Sequence, residues 1–415
     1  MRLPHQFTAL DPSLRREVLD LEAADGFPLP GLAYLPPSVD PDVVVLAMHP
    51  RGDFTRHYLA PPLARAGYAF AGVATRHLNN DADALHERLL LDVAGAVAHL
   101  RRRFAKVVLL GNSGGGSLFA FYLAQAATPP AERLDRAPSG DRVALRTSDL
   151  PMADGLILLA AHLGEGAFLL DRLDPSVVDE ASPTIVDTTL DMYDPANGYR
   201  PMSEGPSRYT PEFVAAFRAG QRARCARLDR QALAWCEEAD WFRARRGLAE
   251  GDPDQRAFVA RHALQRRYLL IYRTPADPRY LDPTLDPSPR ALGSLFSFGR
   301  DPIAGNYGEG LARAMSARGW LSTWSGLSSN AALERTLPSV RIPTLVAAAL
   351  GDTDIYPAEC RRQLAASGAA DKEYYEQAGA DHYFRPVGAA AGDADPRERL
   401  ADACIVPWLR ARWRV

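Results

Sequence analysis

The feature that most constrains this chain is a set of short, unbroken apolar runs that end in turn residues. Val43–Met48 leads into His49-Pro50-Arg51-Gly52-Asp53, Val107–Leu110 into Gly111, and Thr344–Leu350 into Gly351-Asp352. Gly155–Ala161 is a fourth such run. A run of this length bounded by turns suits a strand buried on both faces of a parallel sheet, where apolar/polar alternation is lost. Tyr68–Ala74 reads as a further strand after a helical stretch at about 55–66. Two short strands, Val18–Glu22 and Leu32–Leu35, flank the turn at Asp25-Gly26. Residues 82–103 read as a helix, with Leu85, Leu89, Val93, Val97 and Leu100 near helical spacing. Another helix is expected at 115–127. Strands alternating with helices imply a parallel α/β sheet with right-handed crossovers.

The pattern breaks after the fourth run. From about 163 to 340 the chain is rich in helix and loop, with expected helices at 211–246 (broken near Gly220) and 254–268. It resumes at Thr344–Leu350, followed by a helix at 357–367, a strand at 372–376 and a last helix at 395–412. A chain of 415 residues is too long for one compact core. The expected division is an α/β core of residues 15–162 and 341–415, interrupted by a helical cap at 163–340.

Composition narrows the function classes. Hydrophobic residues make up 47% of the chain, enough for a real core. Forty-eight basic against fifty-one acidic residues give a net charge of −3 and no electrostatic case for nucleic-acid binding. The longest apolar runs are five to eight residues, against the roughly 20 that a membrane-spanning helix needs. The N-terminus has no signal-peptide pattern. Cys225, Cys236, Cys360 and Cys404 lack the spacing of a zinc site or a disulfide framework. These features lead us to expect a cytoplasmic protein with no cofactor or metal, no nucleic-acid partner and no membrane partner. Its oligomeric state is not readable, and a homodimer is left open.

The chemistry centres on Gly111-Asn112-Ser113-Gly114-Gly115. The pattern G-x-S-x-G is weak alone. Here it sits directly after an apolar strand and directly before a helix, as a nucleophile elbow must. The sharp turn lifts the serine hydroxyl above the sheet, and the glycines leave room for strand and helix to pass closely. The Gly114 N–H, at the start of the helix, is placed to donate to an oxyanion. No G-K-[ST] follows, so a Walker phosphate loop is excluded. In this architecture the acid and the base follow the serine in that order. Asp352 stands at the end of a late strand, with Asp354 a competitor two residues on. His382, in Gly379-Ala380-Asp381-His382, is the sole histidine after His262.

The elbow at Gly111–Gly115, the acid after Ile342–Gly351 and the Gly379–His382 loop resemble the α/β-hydrolase superfamily, over roughly 15–162 and 341–415. The resemblance implies catalytic Ser113, Asp352 and His382. It also implies that His49-Pro50-Arg51-Gly52 stands where that family keeps its oxyanion loop. Pro50 has no N–H, so Arg51 or Gly52 is expected to donate beside Gly114. Cap domains of this superfamily commonly sit where the excess length falls. Expected substrate-contacting residues are His49, His162, Tyr307, Trp320 and Trp324, with Phe296 and Phe298 as further pocket candidates. The implied function is hydrolysis of a small-to-medium, partly apolar carboxylic ester through an acyl-enzyme. A carbon–carbon bond hydrolase, a lactonase, a prolyl-type peptidase and a noncatalytic binding protein on the same scaffold remain open.

Overall fold

The computed structural model describes residues 6–37, 40–246, 252–297, 301–388 and 394–413. Its frame is an eight-stranded sheet: β1 (Arg15–Glu22), β2 (Pro28–Leu35), β3 (Val43–Ala47), β4 (Ala69–Val73), β5 (Lys106–Asn112), β6 (Gly155–Leu159), β9 (Thr344–Ala349) and β10 (Lys372–Gln377). The short strands β7 (Tyr268–Leu270) and β8 (Ala314–Ser316) pair separately. The spatial order is β1-β2-β4-β3-β5-β6-β9-β10. Pairing is antiparallel at β1–β2 and β2–β4 and parallel elsewhere. This is the α/β-hydrolase fold.

The apolar runs are central strands because both faces are covered. Along β3, Val44 and Leu46 join one core and Val45 and Ala47 the other; Leu109 and Val108 divide the same way along β5. Every residue of β3 is buried, so neither face can carry the polar half of an alternating pattern. The first core packs against α2 (His86–Arg101) and α3 (Gly114–Ala127). The second packs against α1 (Ala60–Arg65) and the C-terminal helical turns around Trp408 and Leu409. The chain leaves β3 toward β4 on one side and returns to β5 on the other. That switch opens a crevice at the carboxyl ends of β3 and β5, where ligands bind in open α/β sheets.

A long insertion separates β6 from β9 in the chain. It holds α4 (Glu165–Leu170), α5 (Pro211–Ala244), α6 (Pro253–Leu264) and the β7–β8 pair, the last a feature the sequence did not reveal. Thr210 caps α5, its Oγ1 accepting from the Phe213 N–H at 3.2 Å, and Pro211 occupies the first helical position. The expected break at Gly220 is absent: α5 runs through it for 34 residues. The glycine serves contact instead. A Cβ there would stand 2.7 Å from Pro175 Cβ and 3.0 Å from Leu190 Cδ1. The last helix, by contrast, is not regular: a π-turn at Ala401–Ile405 interrupts it.

On helix propensity alone, Gly220→Ala would gain about 1 kcal/mol. The contact with Pro175 reverses the sign, and overpacking of about 1–3 kcal/mol should lower the midpoint of urea or thermal unfolding. A raised midpoint would show that the Pro175 segment yields freely.

Candidate active site

Five consecutive strand ends converge at the crevice. β3 delivers His49 and Arg51, β5 delivers Ser113, β6 delivers His162, β9 delivers Asp352, and the loop after β10 delivers His382. Ser113 stands between β5 and α3 with φ 55° and ψ −124°, a conformation that costs on the order of 1–3 kcal/mol for a residue with a side chain. The surroundings impose it. The Ser113 N–H donates to Leu159 O at 3.1 Å, and the Asn112 side-chain amide donates to the same oxygen at 2.9 Å. The Asn112 carbonyl oxygen accepts from the Tyr58 hydroxyl at 3.2 Å and lies 3.4 Å from His57 Nε2. His57 Nδ1 accepts from the Leu59 N–H, which leaves Nε2 as the donor. A side chain on Gly111 would meet Gly116 Cα at 2.5 Å, so the strand passes the helix here only as glycine, and a Cβ on Gly116 would meet the Ala161 Cβ at 2.5 Å on the other side.

His382 Nε2 lies 3.0 Å from Ser113 Oγ, and Nδ1 lies 2.7 Å from Asp352 Oδ2. The other Asp352 oxygen accepts from the N–H groups of Asp354 and Ile355 at 2.8 and 3.0 Å, which fixes the carboxylate plane. Burial alone would push the His382 imidazole down. The Asp352 carboxylate outweighs it, with Asp354 and Asp381 adding, and the net shift is upward. The loop is shaped by Asp381, whose side chain accepts from the N–H groups of Tyr383 and Arg385. The array can move a proton from the serine hydroxyl onto a ring whose far side is braced by a carboxylate.

Asp354 does different work. It accepts from the Tyr280 hydroxyl at 2.7 Å and the Leu295 N–H at 2.8 Å, both in the insertion. Both of its oxygens are thus taken up by the insertion, although it lines the same cavity as His382 and adds to the upward shift of that imidazole.

Around Gly114 the packing is polar. Gly114 heads α3, so its N–H has no acceptor within the helix. A Cβ there would collide with Glu165 Oε1 and come within 3.0 Å of His49 Nε2 and 3.2 Å of His162 Nε2. The Arg51 guanidinium donates to Glu165 Oε1 at 2.8 Å, lies 3.8 Å from Asp81 and stacks 4.6 Å over the Trp324 ring. Glu165 Oε2 has no hydrogen-bond partner among the described residues and lies 3.6 Å from His162 Nε2. The expected donors from the β3 loop are otherwise engaged: the N–H groups of Arg51 and Gly52 both donate to His49 Nδ1, at 3.2 and 2.8 Å.

A cavity of about 490 Å³ reaches Ser113 and His382. His49, Arg51, Gly52 and His162 line it, and Phe168, Leu295, Phe296 and Leu311 supply apolar walls from the insertion. Three expected contacts are corrected. Tyr307 is half exposed on the insertion's surface, where its ring and hydroxyl meet Arg273. Trp320 is in the insertion's own core, its indole N–H donating to Asp229 at 2.6 Å. Trp324 backs Arg51 and donates to Asp81 at 3.1 Å. The turn between these tryptophans is stitched to residues 84–87 by Ser322 and Thr323, so its aromatic density serves attachment. Phe298 lies outside the described residues. Sequence reasoning missed Tyr383, which lines the cavity beside Ser113 and His382, and Glu165. Neither carries a motif; position next to His382 is the one signal Tyr383 offers. Among the described residues no group of three or more His, Cys, Asp or Glu side chains is arranged to hold a metal ion, and no helix is long and apolar enough to cross a membrane.

By strand order and elbow, the chain has the α/β-hydrolase fold with a serine–histidine–aspartate array at its crevice. No family model and no curated protein matches its sequence. Among solved structures it is similar to an esterase domain from Rhodothermus marinus, with 12% identity, 96% of this chain and 98% of that one covered, and a TM-score of 0.44. It is also similar to a thermophilic esterase from Thermogutta terrifontis (16% identity, 96% and 98% covered, TM-score 0.40) and to a hypothetical protein from Pseudomonas aeruginosa (13%, 97% and 96%, 0.44). The fold assignment rests on this chain's own topology.

Histidine titration followed by NMR should separate these rings. His382 should titrate above the ordinary 6.5, whereas His57 and His86 are held down by burial, to about 3 and about 4. A His382 midpoint below 6.5 would contradict its close pairing with Asp352.

Proposed function

We propose that this protein is a serine hydrolase that cleaves a carboxylic ester of a small-to-medium, partly apolar substrate through an acyl-enzyme. The observation that carries the reading is the continuous array Ser113 Oγ–His382 Nε2–Asp352 Oδ2, at 3.0 and 2.7 Å, on an elbow beside the Gly114 amide. Ser113 Oγ attacks the ester carbonyl carbon while His382 Nε2 takes its proton. The carbonyl electrons pass to oxygen, which the Gly114 N–H stabilises. Collapse expels the alcohol, which leaves with the proton from His382. Water then repeats the sequence: His382 accepts its proton, the hydroxide oxygen bonds the acyl carbon, and Ser113 leaves reprotonated with the acid as product.

The cavity supports an uncharged substrate. Among the described residues the cavity is lined by one guanidinium, Arg51, already matched by Glu165 and Asp81, and by the carboxylates Glu309 and Asp354, which leaves little attraction for a substrate anion. The apolar walls from the insertion suit an acyl or alcohol group of modest size. The insertion in this reading is a cap that shapes that pocket and excludes water. Four unpaired, buried thiols support a reducing, cytoplasmic setting.

A fluorophosphonate probe should label native protein and fail to label Ser113→Ala; labelling that survives the substitution removes Ser113 as nucleophile. Asp352→Asn should lower kcat by about 10⁴-fold, far more than Asp354→Asn, and the reverse ranking would move the acid to Asp354. The base must be unprotonated, and its midpoint is raised, so kcat/KM should fall as pH drops through a midpoint above 6.5. A profile flat to about pH 5 would remove His382 as base. In a panel of p-nitrophenyl esters of graded length beside amide, lactone and diketone substrates, esters should turn over fastest. Preference for the diketone would instead assign carbon–carbon hydrolysis.

A further inference from the structure

We infer that the His49 side chain supplies the second oxyanion donor, through its Nε2–H, in place of a backbone amide of the His49-Pro50-Arg51-Gly52 loop. The inference rests on the reading of Ser113 as the nucleophile.

The loop has three backbone positions that might point an N–H at the developing oxyanion, and none does. Pro50 has no N–H. Those of Arg51 and Gly52 turn inward and donate to His49 Nδ1, at 3.2 and 2.8 Å. A ring nitrogen that accepts two N–H donors presents its lone pair, so the proton of a neutral imidazole must sit on the other nitrogen. The ring is neutral: burial, with Arg51 and the imidazoles of His162, His382 and His86 nearby, holds its pKa well below the ordinary value.

Nε2 is therefore a donor, and its position is telling. It lies 3.0 Å from where a Cβ on Gly114 would stand. Gly114 is the residue directly after Ser113, and its amide is the other donor. The bare Cα of Gly114 is what lets the imidazole come this close. His49 lines the same cavity as Ser113 and His382, and as a residue it is 4% exposed. Among the described residues nothing accepts from Nε2, since both of the hydrogen bonds His49 makes run to Nδ1. Nε2 is not among the sealed, unpartnered side-chain atoms; it opens to the cavity, where a substrate oxygen can reach the N–H. The two loop amides and the Phe54 ring, 5.0 Å away, hold the imidazole in place before the substrate arrives, as electrostatic stabilisation requires. A neutral imidazole polarises a carbonyl oxygen elsewhere in enzymology.

Two substitutions separate donation from loop support. Asparagine places its carbonyl oxygen where Nδ1 stands and can still receive the Arg51 and Gly52 amides, but it has no atom at the Nε2 position. Glutamine reaches that position with an N–H but lacks the inner acceptor. His49→Asn should keep the native unfolding midpoint and KM, and lower kcat for p-nitrophenyl acetate by on the order of 10²–10³-fold. A trifluoromethyl ketone, which forms a tetrahedral adduct, should weaken by the same factor, while a product carboxylate should bind as before. His49→Gln should recover part of the rate.

If native protein turns over the ester and His49→Asn keeps kcat within about threefold, the inference is overturned and the hydrolase reading stands. If Tyr383→Phe instead shows the matched loss of kcat and ketone affinity, the donor is the Tyr383 phenol. If native protein neither turns over esters nor reacts with a fluorophosphonate, the hydrolase reading itself has failed and the inference falls with it.

Discussion

The structure depends on one local conflict, the left-handed backbone of Ser113. A serine at φ 55° is not stable alone. It persists because β6 holds both it and Asn112 through a single carbonyl, that of Leu159. It also persists because Gly111 lets strand and helix touch, while Gly116 lets the helix close on Ala161. Tyr58 and His57 then lock the Asn112 amide from beneath. These restraints come from three separate segments, so the elbow exists only once the central sheet has formed. The geometry that exposes the hydroxyl is thus carried by the most buried part of the molecule.

The region above the elbow is unusually polar for a buried volume. Glu165, His49 and His162 crowd the Gly114 Cα, yet the imidazoles are driven neutral and the nearby Arg51 guanidinium is matched by carboxylates. Burying an unmatched charge there would cost several kcal/mol. On the proposed reading, the directed dipoles of the neutral rings and of the Gly114 amide are what would meet a transient negative oxygen there.

Legibility from sequence followed the physics. The central strands could be read because burial on both faces erases alternation and leaves plain apolar runs. Ser113, Asp352 and His382 could be singled out because a nucleophile on a strand-to-helix turn needs glycine neighbours, and because the partners occupy strand ends in a fixed order. Other parts turned on directions that residue types do not encode. Whether the Arg51 and Gly52 amides face the crevice or their own loop depends on two peptide planes. Asp352 and Asp354 are alike in composition and diverge in what they meet across the chain. Trp320 and Trp324 read equally as wall or as core, because an aromatic cluster fills either. Gly220 looked like a helix breaker since propensity counts the missing side chain as a loss; here the missing side chain admits Pro175.

The turn after β9 has a consequence for how the molecule can change over evolutionary time. Two residues apart, one carboxylate steadies His382 and the other grips Tyr280 and Leu295. The Arg172 guanidinium also reaches the Asp354 carbonyl from the insertion side. An insertion riveted at that spot cannot be swapped wholesale or swung aside as a unit without tugging on the imidazole's support. On the proposed reading, new selectivity is therefore more easily acquired by exchanging side chains on the pocket's walls, such as Phe168, Phe296 and Leu311, while the rivet stays.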